Sequence, residues 1–232
     1  MSSVRAEIRP EGEAPLRHAI YWLPEGPLGA WGAAWLGWDP GTGQEVPHPD
    51  PALAPLTEEP RRYGLHATLK APFRLAPGRT EDELAQALAA FAARRGPAEA
   101  PGLRLARIGR FLALVPEDDD AINALAAACV TELDPFRAPP SEAELRRRRA
   151  AGLDPAEEAN LLRWGYPYVL DRFRFHVTLS GLLDEDQEER VRAILDRHPP
   201  PLPRPVRLSS LAHLGEGADG RFRLLHRYTL SA

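Results

Sequence analysis

The stretch His66-Ala67-Thr68-Leu69-Lys70 occurs a second time, slightly changed, as His176-Val177-Thr178-Leu179-Ser180. Both copies alternate polar and apolar residues, the pattern of a strand with one face in a core and the other turned outward. On that reading His66, Thr68 and Lys70 point together, with Arg62 and Gly64 extending their face, while Tyr63, Leu65, Ala67 and Leu69 point the other way. The second copy sets Arg174, His176, Thr178 and Ser180 on one face, with Phe175, Val177 and Leu179 behind them. An imidazole beside a hydroxyl on a rigid strand puts a proton-transfer group next to a donor for a developing oxyanion.

The segments downstream of the two copies are also alike. After the first, Thr80-x-x-Glu83 opens a helix with Leu84, Leu88 and Phe91 inward, and Leu103 to Ile108 and Phe111 to Val115 read as a hairpin through Gly109-Arg110. After the second, Asp184 caps a helix with Gln187 at its third position and Val191, Ile194 and Leu195 inward; Val206 to Leu214 and Phe222 to Leu230 then form a hairpin. The order of motif strand, capped helix and hairpin thus recurs at an offset of about 110 residues, an organisation like that of a duplication. It predicts an α+β chain: a single bilobal domain over 1–232, with two antiparallel sheets facing each other across a cleft in pseudo-two-fold arrangement and helices outside. The related halves span about 15–135 and 136–232, after a flexible segment of about 1–14.

The remaining stretches read as scaffold. His18 to Leu23 is a strand, Leu28 to Trp38 a helix with Leu28, Trp31 and Trp35 inward, and Asp39 to Pro60 a long loop in which His48, between two prolines, is solvated. Asp118 to Leu133 is a helix whose apolar stripe includes Cys129, and Pro155 to Trp164 is another. Ser141 to Gly152 reads as a charged helix whose run Arg146 to Arg149 is a solvated face, with contact to an anionic substrate or RNA as the alternative. His213 and His226 lie among apolar neighbours and read as structural. Gly215-Glu216-Gly217-Ala218-Asp219-Gly220 matches a phosphate-loop pattern but is followed by a strand, so it is a hairpin loop.

Composition narrows the function. Hydrophobic residues make up 44% and charged residues 27%, as in a soluble globular chain, and no apolar run approaches the roughly 20 residues that span a bilayer. With no signal-peptide core and a single cysteine, the expectation is a cytoplasmic, monomeric protein without membrane contact. The net charge of −4 argues against a broad nucleic-acid surface. Lys70 is the single lysine among 29 basic residues, a compact point charge where every other cation is a guanidinium.

The paired His-x-Thr strands resemble the two-histidine (2H) phosphoesterase superfamily, which includes RNA 2',3'-cyclic phosphodiesterases and LigT-like RNA ligases. Residues 61–75 (RRYGLHATLKAPFRL) and 161–183 (LLRWGYPYVLDRFRFHVTLSGLL), with the opening HAIYWLP and the helix end WLGWD, are more closely similar to a branch associated with phosphonate-degradation operons, domain of unknown function 1045. The resemblance implies a bilobal fold, no metal or cofactor, and action on a small phosphodiester, a cyclic one first among the candidates. Carried over by position, the catalytic groups are His66, Thr68, His176 and Thr178; Lys70 departs from the generic pattern, and its place on the His66 face makes it the expected group to neutralise charge in the transition state. Ser180, Arg62 and Arg174 are candidate substrate contacts. Tyr63, Trp164, Tyr166 and Tyr168 could stack on a sugar or base or pack in the core. Two other readings stand: a non-catalytic module that binds a nucleotide or phosphorylated sugar, and an enzyme processing RNA ends, which the acidic charge disfavours.

Overall fold

The computed structural model describes residues 14–232, so the flexible segment expected over about 1–14 falls almost wholly outside the described residues. The first strand, β1 (His18–Trp22), is buried on both sides, and α1 (Gly26–Leu36) follows with Leu28 and Trp35 inward, ending at Gly37 in a left-handed cap. The expected long loop is more ordered than its proline and glycine content suggests. It holds the short pair β2 (Trp38–Asp39) and β3 (Gln44–Glu45), then α2 (Leu53–Leu56) and α3 (Glu58–Arg61). Nor is His48 solvated: it bridges the Trp35 carbonyl, 3.0 Å from Nδ1, and Arg61 Nη2, 2.6 Å from Nε2, tying this segment to α1.

The first motif strand is β4 (Ala67–Phe73), followed by α4 (Glu81–Ala93), β5 (Ala98–Ala100), and the hairpin β6 (Leu103–Ile108) and β7 (Phe111–Pro116). Helices α5 (Asp120–Glu132), α6 (Glu142–Arg149) and α7 (Pro155–Trp164) lead to the second, β8 (Val177–Thr178). Then come α8 (Glu185–Arg197), β9 (Val206–Leu208), and the hairpin β10 (Ser210–Glu216) and β11 (Phe222–Thr229). The capping boxes read at Thr80 and Asp184 are both formed, each side-chain oxygen accepting from the backbone N–H three residues on.

Strand pairing changes the expected architecture. In place of two separate facing sheets there is one seven-stranded sheet, in the order β11-β10-β1-β4-β8-β7-β6, and two small two-stranded ones. The motif strands are neighbours within it, antiparallel, with Ala67 opposite Val177. The wings of the sheet are not the halves of the chain either. The hairpin of the first half, β6–β7, joins the motif strand of the second, and the hairpin of the second, β10–β11, reaches the first motif strand through β1. The duplicated pattern persists in a second place, because β5 and β9, the equivalent strands after the two capped helices, pair with each other.

Both motif strands are shorter than the alternation predicts. Before β4 the chain turns at Gly64, whose φ of +69° suits a residue without Cβ, and before β8 a 3-10 turn covers Leu170–Arg172. One face of the sheet carries the main core, in which Ala67, Leu69, Val177 and Leu179 join Leu84 and Leu88 of α4 and Ile122 and Cys129 of α5. A smaller cluster of Ala19, Tyr21, Leu23, Ala212, Leu214 and Phe222 lies apart from it, with Tyr63 against it. Alternation along β1 explains the division, since Ile20 and Trp22 enter the first cluster and Ala19 and Tyr21 the second.

Candidate functional site

The register between β4 and β8 builds the site. With Ala67 opposite Val177, continuing the antiparallel pairing sets His66 opposite Thr178 and Thr68 opposite His176. The residue between histidine and threonine is fully buried in both copies, so the four polar side chains share the other face. The two histidines stand on a diagonal, where backbone positions across a strand pair are about 7–8 Å apart. This face opens into a cleft of about 350 Å³ lined by His66, Thr68, His176 and Thr178 together with Tyr21, Tyr63, Phe111, Arg148 and Tyr166. That volume is at the small end of ligand sites.

Each imidazole is anchored in the same way. His66 Nδ1 lies 2.9 Å from the carbonyl of Gly64, and His176 Nδ1 lies 2.7 Å from the carbonyl of Arg174. A carbonyl can only accept, so Nδ1 carries the proton in both rings and Nε2 is left to act. The local geometry therefore repeats along with the sequence: each histidine bonds back to the residue two before it as its strand begins.

Their surroundings differ. His66 stacks on Tyr21 with ring centroids 4.1 Å apart and has Tyr63 at 5.4 Å, whereas His176 meets Phe111 at 5.8 Å. Burial pushes the His66 imidazole down to about 4; its hydrogen bond to Gly64 opposes this and the nearby His176 adds to it. At neutral pH His66 is an uncharged ring with a free Nε2 lone pair. Burial also raises the Tyr21 and Tyr166 phenols above their ordinary value, so both stay protonated there.

Lys70 is not in this cleft, contrary to the alternating pattern. Along β1 and β4, Tyr21 faces Thr68 but Ile20 faces Lys70, so Leu69 is an extra residue on β4. Such a bulge shifts the alternation by one, and from there Lys70 turns inward while Ala71 and Pro72 face the cleft. Lys70 is 3% exposed, its ammonium 3.0 Å from the Val130 carbonyl at the end of α5 and 3.7 Å from Asp134. Burial holds it down to about 8, with Asp134 working against that shift.

Other expected contacts divide. Ser180 lines the cleft, but the residue is 1% exposed and its hydroxyl holds the backbone, accepting from the Leu112 N–H at 3.0 Å and donating to the Gly181 carbonyl at 2.9 Å. Tyr63 lines the cleft on the same side as His66, because the turn at Gly64 breaks the alternation that set it on the opposite face. Tyr166 lines it as well, while Tyr168 stands edge-on to Tyr166, exposed and outside the lining. Arg62 turns toward the Gly220 carbonyl and Glu216; Arg174 is exposed and brings its carbonyl to His176. Trp164 lies under the Arg163 guanidinium and outside the lining.

The sequence pattern passes over Arg17, Tyr21 and Phe111, and singles out Arg148 only within the run Arg146 to Arg149, where contact to an anionic substrate is the alternative to a solvated face. Tyr21 and Phe111 sit in runs that look like plain core, and Arg17 precedes the first strand. Arg17 is held at 2.6 and 2.7 Å by the buried Glu216. Arg148, one of the four arginines assigned to a solvated face, lies 4.7 Å over the Tyr166 ring. Among the described residues, no group of three or more His, Cys, Asp or Glu is arranged to hold a metal ion, and no helix is long and apolar enough to cross a membrane.

Comparison with known proteins adds relatives. A ribose 1,5-bisphosphate phosphokinase PhnN of Janthinobacterium sp. (strain Marseille) is 40% identical over 203 residues, which are 82% of this chain and 45% of that protein. The protein of the same name from Laribacter hongkongensis (strain HLHK9) is 38% identical over 176 residues, 73% of this chain and 41% of its own. The chain thus spans less than half the length of these curated relatives. Among solved structures, TT0787 of Thermus thermophilus aligns over 93% of this chain and 98% of its own, with 16% identity and a TM-score of 0.45. A phosphoesterase aligns over 94% and 100%, with 14% identity and a TM-score of 0.41. Residues 68–223, about two thirds of the chain and including Thr68, His176 and Thr178, match the profile of the family described as Protein of unknown function (DUF1045), and the chain belongs to that family.

Proposed function

We propose that this chain is a phosphodiesterase of the two-histidine type, which opens a small cyclic phosphodiester by acid–base catalysis at His66 and His176. The observation that carries the reading is the pair of anchored imidazoles: two rings with Nδ1 bonded to backbone, Nε2 left over, on diagonal corners of one strand pair in one cleft. In-line displacement at phosphorus needs a base on one side and an acid on the other, and a diagonal of about 7–8 Å leaves room for a phosphoryl group between them.

The uncharged His66 is the base. Its Nε2 takes a proton from water as the oxygen attacks phosphorus; the bond from phosphorus to the ring oxygen breaks, and His176, which must enter this step as the imidazolium with both ring nitrogens protonated, gives that oxygen the proton from its Nε2. One water is consumed, and a phosphomonoester and a free hydroxyl result. Thr68 and Thr178, each across the strand pair from the other's histidine, donate to the non-bridging oxygens, and Arg148 at the cleft wall balances their charge. The role first expected of Lys70 passes to this arginine.

A cleft of about 350 Å³ suits a nucleotide or sugar phosphate better than a strand of RNA. The relatives named for a ribose bisphosphate kinase favour a phosphorylated ribose. Their kinase chemistry is not assigned to this chain, which has no phosphate-gripping loop ending in lysine and whose single lysine is buried. A place in phosphonate catabolism belongs to this reading through the family branch that the sequence resembles.

The test is to assay 2',3'-cyclic nucleotides, ribose cyclic phosphates and cyclic-phosphate RNA ends side by side. Turnover is expected on the small substrates, unaffected by EDTA, and a loss of about 10²–10⁴ in kcat for His66→Ala and for His176→Ala. Near-normal turnover in either variant, or activity abolished by chelation and restored by a divalent metal, would reject the mechanism.

A further inference from the structure

A second, smaller pocket adjoins the cleft and shares Arg17, Pro72 and Arg148 with it. Its enclosed volume is only about 30 Å³, but five arginines line it: Arg17, Arg74, Arg137, Arg147 and Arg148, with Glu144 as the one carboxylate. Three of these guanidiniums have carboxylate partners. Arg17 is held by Glu216, Arg74 by Glu144 at 2.9 Å, and Arg137 by Asp134 at 2.8 Å. Arg147 and Arg148 have none among the described residues, so positive charge is left over here in a chain whose net charge is −4.

The helix that carries them is built for this placement. Glu144, Arg147 and Arg148 fall at i, i+3 and i+4 on α6 and share a face. Glu144 ties that face to Arg74, just past β4, and the Pro139 carbonyl accepts from the same arginine at 3.2 Å. Fastening the first turn in this way directs the next turn's arginines to the pocket, with Arg148 on the wall it shares with the cleft. The rest of the run behaves otherwise: Arg149 pairs with Glu158 at 2.6 Å, and Arg146, though exposed like Arg147, lines neither cavity. A solvated face would need none of this sorting.

We infer that this arginine pocket is a second anion subsite, which takes a phosphomonoester on the same molecule whose phosphodiester lies between the histidines. Guanidinium groups offer paired N–H donors that match phosphate oxygens, and a dianion in this pocket would meet two cations that no carboxylate among the described residues compensates. The enclosed space is too small for a sugar, so the sugar stays in the cleft and only its phosphate crosses the shared wall. The substrate class is then a phosphorylated sugar that also carries a cyclic phosphodiester. This rests on the proposed phosphodiesterase reading for the first phosphate, whereas the subsite can be tested without it.

Calorimetric titration with ribose 5-phosphate and with ribose would be carried out on the unaltered chain, on Arg147→Ala and Arg147→Glu, and on a His66→Ala/His176→Ala double variant. Ribose 5-phosphate is expected to bind at least tenfold more tightly than ribose, to weaken at least tenfold in both arginine variants, and to remain bound in the histidine double variant. With turnover, kcat/KM for a ribose cyclic phosphate bearing a terminal phosphate, relative to one without it, should fall at least tenfold in Arg147→Ala. Equal binding of ribose and ribose 5-phosphate, indifference to Arg147, or loss of binding with the histidines would overturn the subsite. If these binding results hold while no cyclic phosphodiester is hydrolysed, the phosphodiesterase reading fails and the subsite stands.

Discussion

At His66 the same burial that makes the imidazole a base leaves a mark on stability. Its folded value of about 4 lies below the 6.5 of an exposed ring, so between those limits the unfolded chain binds the extra proton and the folded chain does not. Stability contributed by this group is therefore complete above about pH 6.5, declines as the pH falls, and is exhausted near pH 4, with a size on the order of 3 kcal/mol. Urea midpoints of the unaltered chain and of His66→Ala, measured from pH 7 to 4, should converge toward low pH; a constant difference would mean that His66 is not desolvated. The same value sets the catalytic profile. The acidic limb of kcat/KM reports the free enzyme's base, so it should fall near pH 4, well below the neutral range of an ordinary histidine.

The bulge in β4 decides which way a whole strand faces, and Lys70 is where its effect is clearest. Its ammonium bonds to the Val130 carbonyl and lies near Asp134, which keeps Arg137 as a second partner. Lys70→Met fills the same space without the buried charge; removing one partner of a buried pair is costly when the other is stranded, but here Asp134 keeps Arg137. The variant's stability should stay within about 1 kcal/mol and its turnover near normal, whereas Lys70→Ala leaves a void and should cost about 2–4 kcal/mol by urea denaturation. A loss of several orders of magnitude in kcat for Lys70→Met would return the lysine to the cleft and remove the bulge.

The alternation rule reads Thr68 correctly and Lys70 wrongly because the extra residue is set by pairing with β1, a partner 50 residues away that the local pattern does not contain. Tyr63 escapes the rule for a different reason, the positive φ at Gly64. By contrast the capped helices, the first hairpin and the apolar stripe through Cys129 depend on neighbours within a few residues, and each forms where the sequence predicts it, whereas the second hairpin starts only at Ser210 because Val206–Leu208 is a separate strand paired with β5. Arg17 and Arg148 reach the cleft through tertiary placement of segments whose own patterns look ordinary. The two His-x-Thr motifs were legible because local strand character and a long-range symmetry agreed on them.

At the scale of the whole molecule, the exchange of hairpins ties the two halves together more firmly than a pair of lobes would be. Cutting the chain between α5 and α6 would leave β7 without β8, β10 without β1, and β5 without β9, so each fragment would expose unpaired edges on strands that are otherwise interior. Chains above about 150 residues commonly unfold in steps, and independent lobes would do so here. Interleaving makes the opposite outcome the expected one: a single cooperative transition for the full chain, and no stable fold for residues 14–138 or 139–232 alone. Four of the five tryptophans, Trp22, Trp31, Trp35 and Trp38, lie in the first half, so their fluorescence follows that half while far-ultraviolet circular dichroism follows the entire chain. Coincident midpoints in urea by the two probes, with disordered amide spectra for both fragments, would match the exchanged sheet. Separated midpoints, or a fragment with a dispersed spectrum, would mean that the junction at Ala67 and Val177 is too narrow to couple the wings.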